Sequence, residues 1–329
     1  MSRVTINDIA KKMNVSANTV SKALNGKAKV SEELRKKIIA AASSMGYEKN
    51  INASRLSQKP IKVGVLVNGY DKNYYRYILS GLKEASEFLA DRRVDTEIKV
   101  VEASKDDSEA LKILREFADD AFDGVIISDV NSSQVLPILK EYEKNGIKYA
   151  FLNYDIPGTN RSFAMINDYS CAAGLAAEIL NQSVGSDEEL AVYSIANSYT
   201  QRRLAENFIQ VSANLGRKKI RQTCDEEELF SWSNIGGIYV SHASYINICG
   251  KLRELDRKMP KLVVSDLYRD AIPFLENGTI TAIIYQNPVK QAFSTVVGLY
   301  ELISEGKKCD DVMTVVPLIV MRSNYKRYL

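Results

Sequence analysis

The amino-acid sequence predicts a small all-α helix-turn-helix domain followed by a two-lobed α/β domain with parallel sheets. Residues 1–60 carry three well-placed helix caps, and from Ile61 onward short β-branched runs alternate with amphipathic stretches. The 329 residues, 45% of them hydrophobic, exceed one ordinary domain. We therefore assign residues 1–46 to the helical domain, 47–60 to a linker and 61–329 to the two-lobed domain.

Caps and turns define three short helices in the first domain. Thr5, Ser16 and Ser31 are each placed to cap a helix, and Asp8 follows Thr5 at the spacing of a capping box. The caps predict helices over residues 6–13, 17–25 and 32–45, with a turn of two residues between the first two. Two helices joined so tightly and supported by a third form a helix-turn-helix motif.

The second of these helices has two distinct faces. Val20, Ala23 and Leu24 point towards the core. The opposite face, by helical spacing, carries Ala17, Asn18, Ser21, Lys22 and Asn25. Such a small, polar face with one positive charge can lie flush in the major groove of DNA. An ordinary solvent-exposed helix face would show the same pattern.

Charge is distributed unevenly along the chain. Residues 1–60 carry 12 Lys and Arg against 4 Asp and Glu, whereas residues 61–329 carry 32 against 37. A net charge of +8 on the first segment and −5 on the second indicates that the first segment meets a polyanion. A solvated basic tail is the alternative interpretation.

Four stretches within residues 4–47 form a recognisable pattern, Val4–Ala10, Asn14–Ser16, Thr19–Ser21 and Leu24–Asn25. With these stretches in register and without an insertion or deletion, residues 4–47 resemble the DNA-binding headpiece of the LacI/GalR family of repressors. The resemblance implies a ligand-responsive transcriptional regulator, with double-stranded operator DNA as a partner. Because one headpiece covers few base pairs, we expect a homodimer on a near-palindromic operator.

The second helix supplies the predicted base contacts. An Asn18 amide can bond adenine, a Lys22 ammonium can donate to guanine, and Ala17 can touch a thymine methyl group. The predicted phosphate contacts are small polar residues that flank this face, Thr5, Ser16, Thr19, Ser21 and Asn25.

The linker resembles the hinge of the same family through Ala53 and Leu56, which match its Ala-x-x-Leu spacing. The resemblance implies that Leu56 inserts into the minor groove, with Asn50 and Arg55 beside it. Because so short a helix is marginal alone, we expect the hinge to fold only over DNA. A disordered linker with one exposed leucine is the alternative.

The second domain is predicted to contain at least eight strands. They are placed at Ile61–Val67, Ile98–Val101, Gly124–Ser128, Tyr149–Leu152, Leu190–Ile195, Gly237–Ser241, Leu262–Ser265 and Ile280–Tyr285. The helical patterns between them include Ile78–Leu89, Glu109–Phe117, Ala172–Leu180 and Lys290–Ile303. Repeated β-α alternation predicts parallel sheets, and this number of strands predicts two sheets and hence two lobes.

This region resembles the type I periplasmic-binding-protein-like sensor domain of the same family. The resemblance is clearest at Val264–Asp266 and at Gly278–Ala282, which leads into Tyr285–Pro288. It implies that Asp266 and Gln286 bind the hydroxyls of a small-molecule effector, a sugar or a derivative, between the lobes. Polar residues at strand ends are also common turn formers.

Further candidates lie at other predicted strand ends. Aromatic residues after the first strand, Tyr70, Tyr74 and Tyr75, can stack on a sugar ring, although packing or dimer contacts would explain them equally well. The resemblance adds Asn153, Tyr154 and Arg203 as ligand contacts. His242 follows a predicted strand and lines the cleft or serves as a structural histidine.

Other classes of protein fit the sequence less well. A single histidine leaves no His pair for a metal, and no glycine-rich phosphate loop occurs, so we expect no catalytic residues, metal or cofactor. No apolar run approaches the ~20 residues of a membrane span, and the N-terminus lacks a signal peptide. We therefore expect a cytoplasmic protein; the alternatives are a solute-binding protein without a DNA role and, less favoured, an enzyme.

Overall fold

The computed structural model describes residues 4–24, 30–47, 59–69, 72–101, 107–128, 130, 133–195, 199–242, 244–255 and 258–329. The chain divides into two compact units, Met1–Lys59 and Pro60–Leu329, each with its own apolar core. Within the described residues, no helix is both long and apolar enough to cross a membrane.

The N-terminal unit contains the three predicted helices, α1 (Ile6–Met13), α2 (Ala17–Leu24) and α3 (Glu32–Ser44). The capping box is confirmed, because the Thr5 hydroxyl accepts a bond from the Asp8 amide and the Asp8 carboxylate accepts one from the Thr5 amide. Ser31 caps α3 as predicted. The core is a single apolar cluster of Ile9, Ala10, Val20, Ala23, Ile38 and Ala42.

The C-terminal unit contains twelve strands in the described residues. They are β1 (Ile61–Asn68), β2 (Val94–Val101), β3 (Gly124–Ser128), β4 (Lys148–Leu152), β5 (Phe163–Asn167), β6 (Glu189–Tyr193), β7 (Ile220–Thr223), β8 (Ile235–Val240), β9 (Lys261–Ser265), β10 (Ala282–Tyr285), β11 (Val312–Val315) and β12 (Leu318–Val320). They form two sheets of six strands, in the orders β11-β5-β4-β3-β1-β2 and β12-β10-β9-β8-β6-β7. All neighbours are parallel except β10 and β12, so the predicted fold class is confirmed.

Helices cover both faces of each sheet. They are α4 (Lys72–Leu89), α5 (Ser108–Asp119), α6 (Val135–Asn145), α7 (Tyr169–Ser183), α8 (Tyr199–Asn214), α9 (Glu226–Ser231), α10 (Tyr245–Glu254), α11 (Ile272–Glu276) and α12 (Pro288–Glu305). We call the first sheet with α4, α5, α6 and α12 the first lobe, and the second sheet with α7 to α11 the second lobe.

All eight predicted strands are present, although several ends differ. Strand β2 begins at Val94 rather than Ile98, because alternating charged residues mark it as a half-exposed edge strand rather than a buried one. Strand β6 ends at Tyr193, and Ile195 beyond it is 49% exposed. The sequence prediction missed β5, β7, β11 and β12, which have only three to five residues each.

The chain passes between the lobes at three places, after β5, after β10 and between β11 and β12. The second passage returns the chain to the first lobe as α12, which packs closely on α4. A Cβ added to Gly81 would lie 2.1 Å from the carbonyl oxygen of Val289, so only glycine fits there. These passages place the carboxyl ends of the strands of both sheets along one seam.

Candidate functional site

In the N-terminal unit, the outer face of α2 carries the predicted DNA-contacting residues. Asn18 is exposed, whereas Ala17, Ser21 and Lys22 are half-buried. On the opposite side of α2, Val20 and Ala23 are buried in the apolar core of the unit. Asn25, the remaining residue predicted on this face, lies outside the described residues.

Side-chain hydroxyls hold the start of α2 in place. The Ser16 hydroxyl accepts a hydrogen bond from the Thr19 amide at 3.1 Å, and the two hydroxyls are 2.8 Å apart. At the start of α1, the hydrogen bonds from Thr5 hold the pKa of Asp8 below its usual value. The start of α2 therefore presents hydroxyls at a helix N-terminus, which suits anionic phosphate oxygens, whereas at the start of α1 the Thr5 hydroxyl already donates to the Asp8 carboxylate. The hinge residues Asn50, Ala53, Arg55 and Leu56 lie outside the described residues.

In the C-terminal unit, two polar residues occupy equivalent positions in the two lobes. Asn153 follows β4 and Asp266 follows β9, and each of these strands is third in its sheet order. Both residues have left-handed backbone, with φ of 66° and 65°. Each backbone amide donates to the neighbouring strand, from Asn153 to Met165 at 2.7 Å and from Asp266 to Ile284 at 2.9 Å. The two side chains therefore leave their sheets at matching corners of the seam.

The structure brings together Asp266 and Gln286. The Gln286 side-chain amide donates to one carboxylate oxygen of Asp266 at 2.9 Å, and its backbone amide donates to the other at 3.3 Å. Both residues are buried, at 8% and 5% exposure. Two residues predicted from separate motifs thus form one polar pair, and the amide holds the carboxylate in a defined orientation.

Tyrosines surround this carboxylate. Burial, and then the charge of Asp266, raises the pKa of Tyr74 and Tyr285. Burial also raises the pKa of Tyr77, where Arg269 opposes the shift and Asp266 adds to it. The Tyr245 hydroxyl donates to the backbone oxygen of Asp266 at 2.8 Å, and the rings of Tyr77 and Tyr285 meet edge to face at 6.3 Å. The cleft therefore combines one acid with aromatic faces and neutral hydroxyls, a composition suited to a polar ligand with apolar ring faces.

Two further residues join this cluster that the sequence analysis did not single out. Gln291, in the first turn of α12, donates to the side chain of Asn167, the last residue of β5. Gln291 also donates to the backbone oxygen of Gln286. The available sequence signal was a glutamine at a position that helical spacing places on the apolar, inward face of α12. Its partner, however, lies far away in the sequence.

His242 lies at the end of β8, beside β9 and Asp266. Its Nδ1 accepts a hydrogen bond from the Ser244 amide at 3.2 Å, so the neutral ring carries its proton on Nε2. Burial lowers the pKa of His242 to about 4, which keeps the ring neutral at pH 7. His242 therefore presents a buried N–H donor near the carboxyl ends of the strands.

Other predicted ligand residues lie away from this cluster. Arg203 is exposed on α8 and pairs with Glu206 at 3.4 Å. Tyr154 packs against Phe151 in the core of the first lobe, with ring centres 4.7 Å apart. Tyr75 is half-buried against the separate apolar cluster that contains Ile78 and Leu82 of α4, and Tyr70 lies outside the described residues.

Other places in the C-terminal unit offer less chemistry. A cavity of about 350 Å³ is lined by Lys261, Thr281 and Arg322, at the amino ends of β9 and β10 and thus at the opposite edge of the sheet. Among the described residues, no group of three or more His, Cys, Asp or Glu side chains is arranged to hold a metal. The interlobe cluster around Asp266 is therefore the candidate binding site.

Comparison with known proteins finds a matching family for each unit. Residues 5–50 match the family of bacterial regulatory proteins called the lacI family, and residues 63–308 match the periplasmic binding protein domain family. The "Probable HTH-type transcriptional repressor ExuR" of Bacillus subtilis is 31% identical over 173 residues, or 50% of this chain and 47% of that protein. The chain spans about half the length of the first curated relatives it matches.

Solved structures share the fold at low sequence identity. The arabinose-binding protein AraP from Geobacillus stearothermophilus aligns with a TM-score of 0.72 at 16% identity, covering 82% of this chain and 100% of that one. The lac repressor dimer bound to operator and the anti-inducer ONPF aligns with a TM-score of 0.64 at 16% identity, covering 97% and 98%. The chain thus belongs to the periplasmic binding protein domain family and carries, ahead of that domain, a helix-turn-helix domain of the lacI family of bacterial regulators.

Proposed function

We propose that this protein is a sequence-specific transcriptional repressor in the cytoplasm that binds operator DNA as a homodimer and responds to a small polar effector, a sugar or a derivative. The observation that carries the proposal is the capped, outward-facing helix α2, with Asn18 exposed on its polar face, in a lacI-family unit joined to a two-lobed binding domain. The proposal includes no catalytic step.

Recognition of bases is assigned to α2. The Asn18 amide can make two hydrogen bonds to adenine, and the Lys22 ammonium can donate to the O6 and N7 atoms of guanine. Ala17 is small enough to contact a thymine methyl group. The hydroxyls at the starts of α1 and α2, from Thr5, Ser16 and Thr19, are assigned to phosphate contacts.

The test compares two lysines on one operator, which is first selected from random DNA. Lys22→Ala should cost roughly 1–3 kcal/mol on that operator and relax one base position. Lys36→Ala, on the exposed surface of α3, is the matched control for charge and should weaken binding only slightly and without base preference. Equal losses on operator and on random DNA for Lys22→Ala would show that Lys22 contacts phosphate instead.

Assembly is the second part of the proposal. A dimer on a near-palindrome doubles the number of base pairs read, and its affinity should fall with salt at a slope of about −0.9 per phosphate neutralised. Light scattering at operator-binding concentrations measures the assembly directly. A monomer bound to a full-affinity operator would contradict the dimer.

The hinge is proposed from its sequence pattern alone. Leu56→Ala should weaken operator binding strongly, because it removes the apolar wedge, while leaving effector affinity without DNA intact. Equal operator affinity of Leu56→Ala and wild type would contradict the proposed insertion of Leu56 into the minor groove.

The interlobe cluster is proposed as the effector site. Its polar atoms lie at the carboxyl ends of parallel strands in both lobes, the usual ligand position in such folds. Occupation of the site should change operator affinity by about 5–150-fold, which is the usual range for coupled sites. Asp266→Ala should abolish that response but leave operator binding without effector intact. Effector affinity unchanged by Asp266→Ala would move the site elsewhere.

A further inference from the structure

A row of buried amides runs from Asn167, at the end of β5 in the first lobe, to Asp266 in the second. The side-chain nitrogen of Gln291 lies 2.6 Å from the Asn167 side-chain oxygen in the first lobe and 2.6 Å from the Gln286 backbone oxygen in the second. Gln291 is fully buried. One side chain on α12 thus hydrogen-bonds to two of the three segments that connect the lobes.

Hydrogen-bond chemistry determines which way these amides point. A backbone carbonyl only accepts, so the Gln291 nitrogen must face the Gln286 carbonyl and its Oε1 must face away. The Gln286 side chain is oriented in the same manner, because its nitrogen donates to the Asp266 carboxylate. Neither amide can be turned over without placing an oxygen against an acceptor.

Three amide oxygens at this seam remain without a partner. The Oε1 atoms of Gln286 and Gln291 and the Oδ1 atom of Asn153 are buried and accept no hydrogen bond from any described residue. Leaving a buried acceptor unpaired costs about 1–3 kcal/mol, so three together create a strong demand for donors. They come from both lobes, because Asn153 follows β4 and Gln291 lies on α12 in the first lobe, whereas Gln286 follows β10 in the second.

We propose that Gln291 is a ligand-binding and specificity-determining residue of the cleft, and that the cleft takes an uncharged polyhydroxy molecule whose hydroxyls donate to the oxygens of Asn153, Gln286 and Gln291. This inference rests on the proposed effector-binding function. Hydroxyl groups both donate and accept, so the same molecule can also receive the Nε2 hydrogen of His242.

Carboxylated and phosphorylated sugars fit this seam poorly. Their charged oxygens only accept, and they would face the three amide oxygens and the Asp266 carboxylate. An acceptor placed against a buried acceptor leaves both unpaired, and two negative charges repel each other in a site shielded from water. The cleft should therefore discriminate by charge as well as by shape.

The experiment measures binding by calorimetry with six probes. Ribitol, D-ribose, L-arabinose and D-galactose are the neutral probes, and D-galacturonate and D-glucose 6-phosphate are the anionic ones. At least one neutral probe should bind wild type, and neither anionic probe should bind more tightly than it. Gln291→Leu should weaken that probe by on the order of 10- to 100-fold, the loss expected when buried hydrogen bonds are removed.

Thr295→Val is the matched control, because Thr295 lies one turn further along α12, is fully buried and donates to the Gln291 backbone oxygen at 2.8 Å. It removes a buried hydrogen bond from the same helix without touching the unpaired oxygens, so probe affinity should stay near that of wild type. Gln291→Met keeps most of the length and volume of the side chain but removes the amide, and it should weaken the probe to a similar extent if Gln291→Leu fails to fold.

Three results would overturn the inference. These are no binding by any neutral probe, tighter binding by an anionic probe, or equal affinity of wild type and Gln291→Leu for a neutral one. An anionic probe that binds and changes operator affinity would leave the proposed function standing while this inference fails. A protein that selects no operator from random DNA would instead contradict the proposed function, whatever the probes do.

Discussion

The two lobes carry different chemistry on matching backbones. In each sheet, a residue with left-handed backbone follows the strand that is third in the sheet order. It is Asn153 after β4 in the first lobe and Asp266 after β9 in the second. Each also caps the next helix with an acidic or amide side chain, Asp168 before α7 and Asn287 before α12. Asn153 and Asp266 share their backbone geometry, but of these two residues only Asp266, in the second lobe, is acidic. Matching positions therefore do not make matching binding surfaces.

The lobes also bring their paired helices together in different ways. In the first lobe, α4 meets α12 where Gly81 lies against the Val289 backbone. In the second, α7 and α8 pack together over a core cluster to which they contribute five buried alanines, Ala172, Ala173, Ala176, Ala177 and Ala205. Both solutions allow close approach of two helices, but the glycine contact tolerates no added atom whereas the alanine contact is built from methyl groups.

The largest expected effect follows from that contrast. Gly81→Ala should destabilise the C-terminal unit by about 3 kcal/mol or more, since its Cβ would overlap a backbone oxygen and one helix would have to move. Urea unfolding followed by circular dichroism measures the change. Gly250→Ala, on α10 with open space around the added methyl group, is the control and should stabilise by about 0.5–1 kcal/mol. Equal stability of the two variants would refute the close contact.

The next effect concerns the single histidine, which belongs to the second lobe. The pKa of His242 is about 4 in the folded protein against an ordinary value of 6.5, so the unfolded chain takes up the proton first as the pH falls. The free energy of unfolding is therefore unaffected by the titration of His242 above pH 6.5. It falls as the pH drops towards 4, by a total of roughly 3 kcal/mol.

Two measurements check this pH dependence. NMR titration of the only histidine gives its pKa directly, and urea unfolding between pH 4 and pH 7.5 gives the stability. His242→Gln should reduce the slope of stability against pH in that window. A measured pKa near 6.5 would contradict the burial of this ring.

A smaller effect separates the two equivalent helix caps. Asp168→Ala removes one cap and should cost about 1 kcal/mol. Asn287→Ala should cost about 2 kcal/mol, because Asn287 has a left-handed backbone with φ of 55° that alanine adopts reluctantly. Asn287→Gly keeps the backbone and should cost less than Asn287→Ala. Thermal unfolding of the three variants tests the order, and equal losses at both sites would contradict the role of the backbone.

The smallest effect reports the charge at Asp266. Asp266→Asn removes the negative charge and should lower the pKa of Tyr77, which that charge raises. Site-resolved NMR titration of ring-labelled tyrosine measures the change at Tyr77, and Asp168→Asn, which keeps a capping side chain, is the control. No difference between Asp266→Asn and wild type would contradict an effect of the Asp266 charge on Tyr77.

Local patterns by themselves determined much of this protein. The caps of α1 and α3 were predicted correctly because a cap depends on residues three positions apart, as at Thr5 and Asp8. The inward face of α2, with Val20 and Ala23 buried, followed from helical spacing. Buried strands such as β3 were predicted because a continuous apolar run between turn residues is visible in the sequence itself.

Only the tertiary structure decided how the cleft is assembled. Gln291 and Asn167 are 124 residues apart, and no local pattern predicts that a glutamine on an apolar helix reaches a strand end so distant in the sequence. Arg203 had a plausible place in a motif, yet it lies exposed because the apolar residues beside it, Leu204 and Ala205, turn their side of α8 inward. Short strands such as β5 need neighbouring strands to satisfy their backbone groups, so the sheet, rather than the five residues themselves, determines where they form.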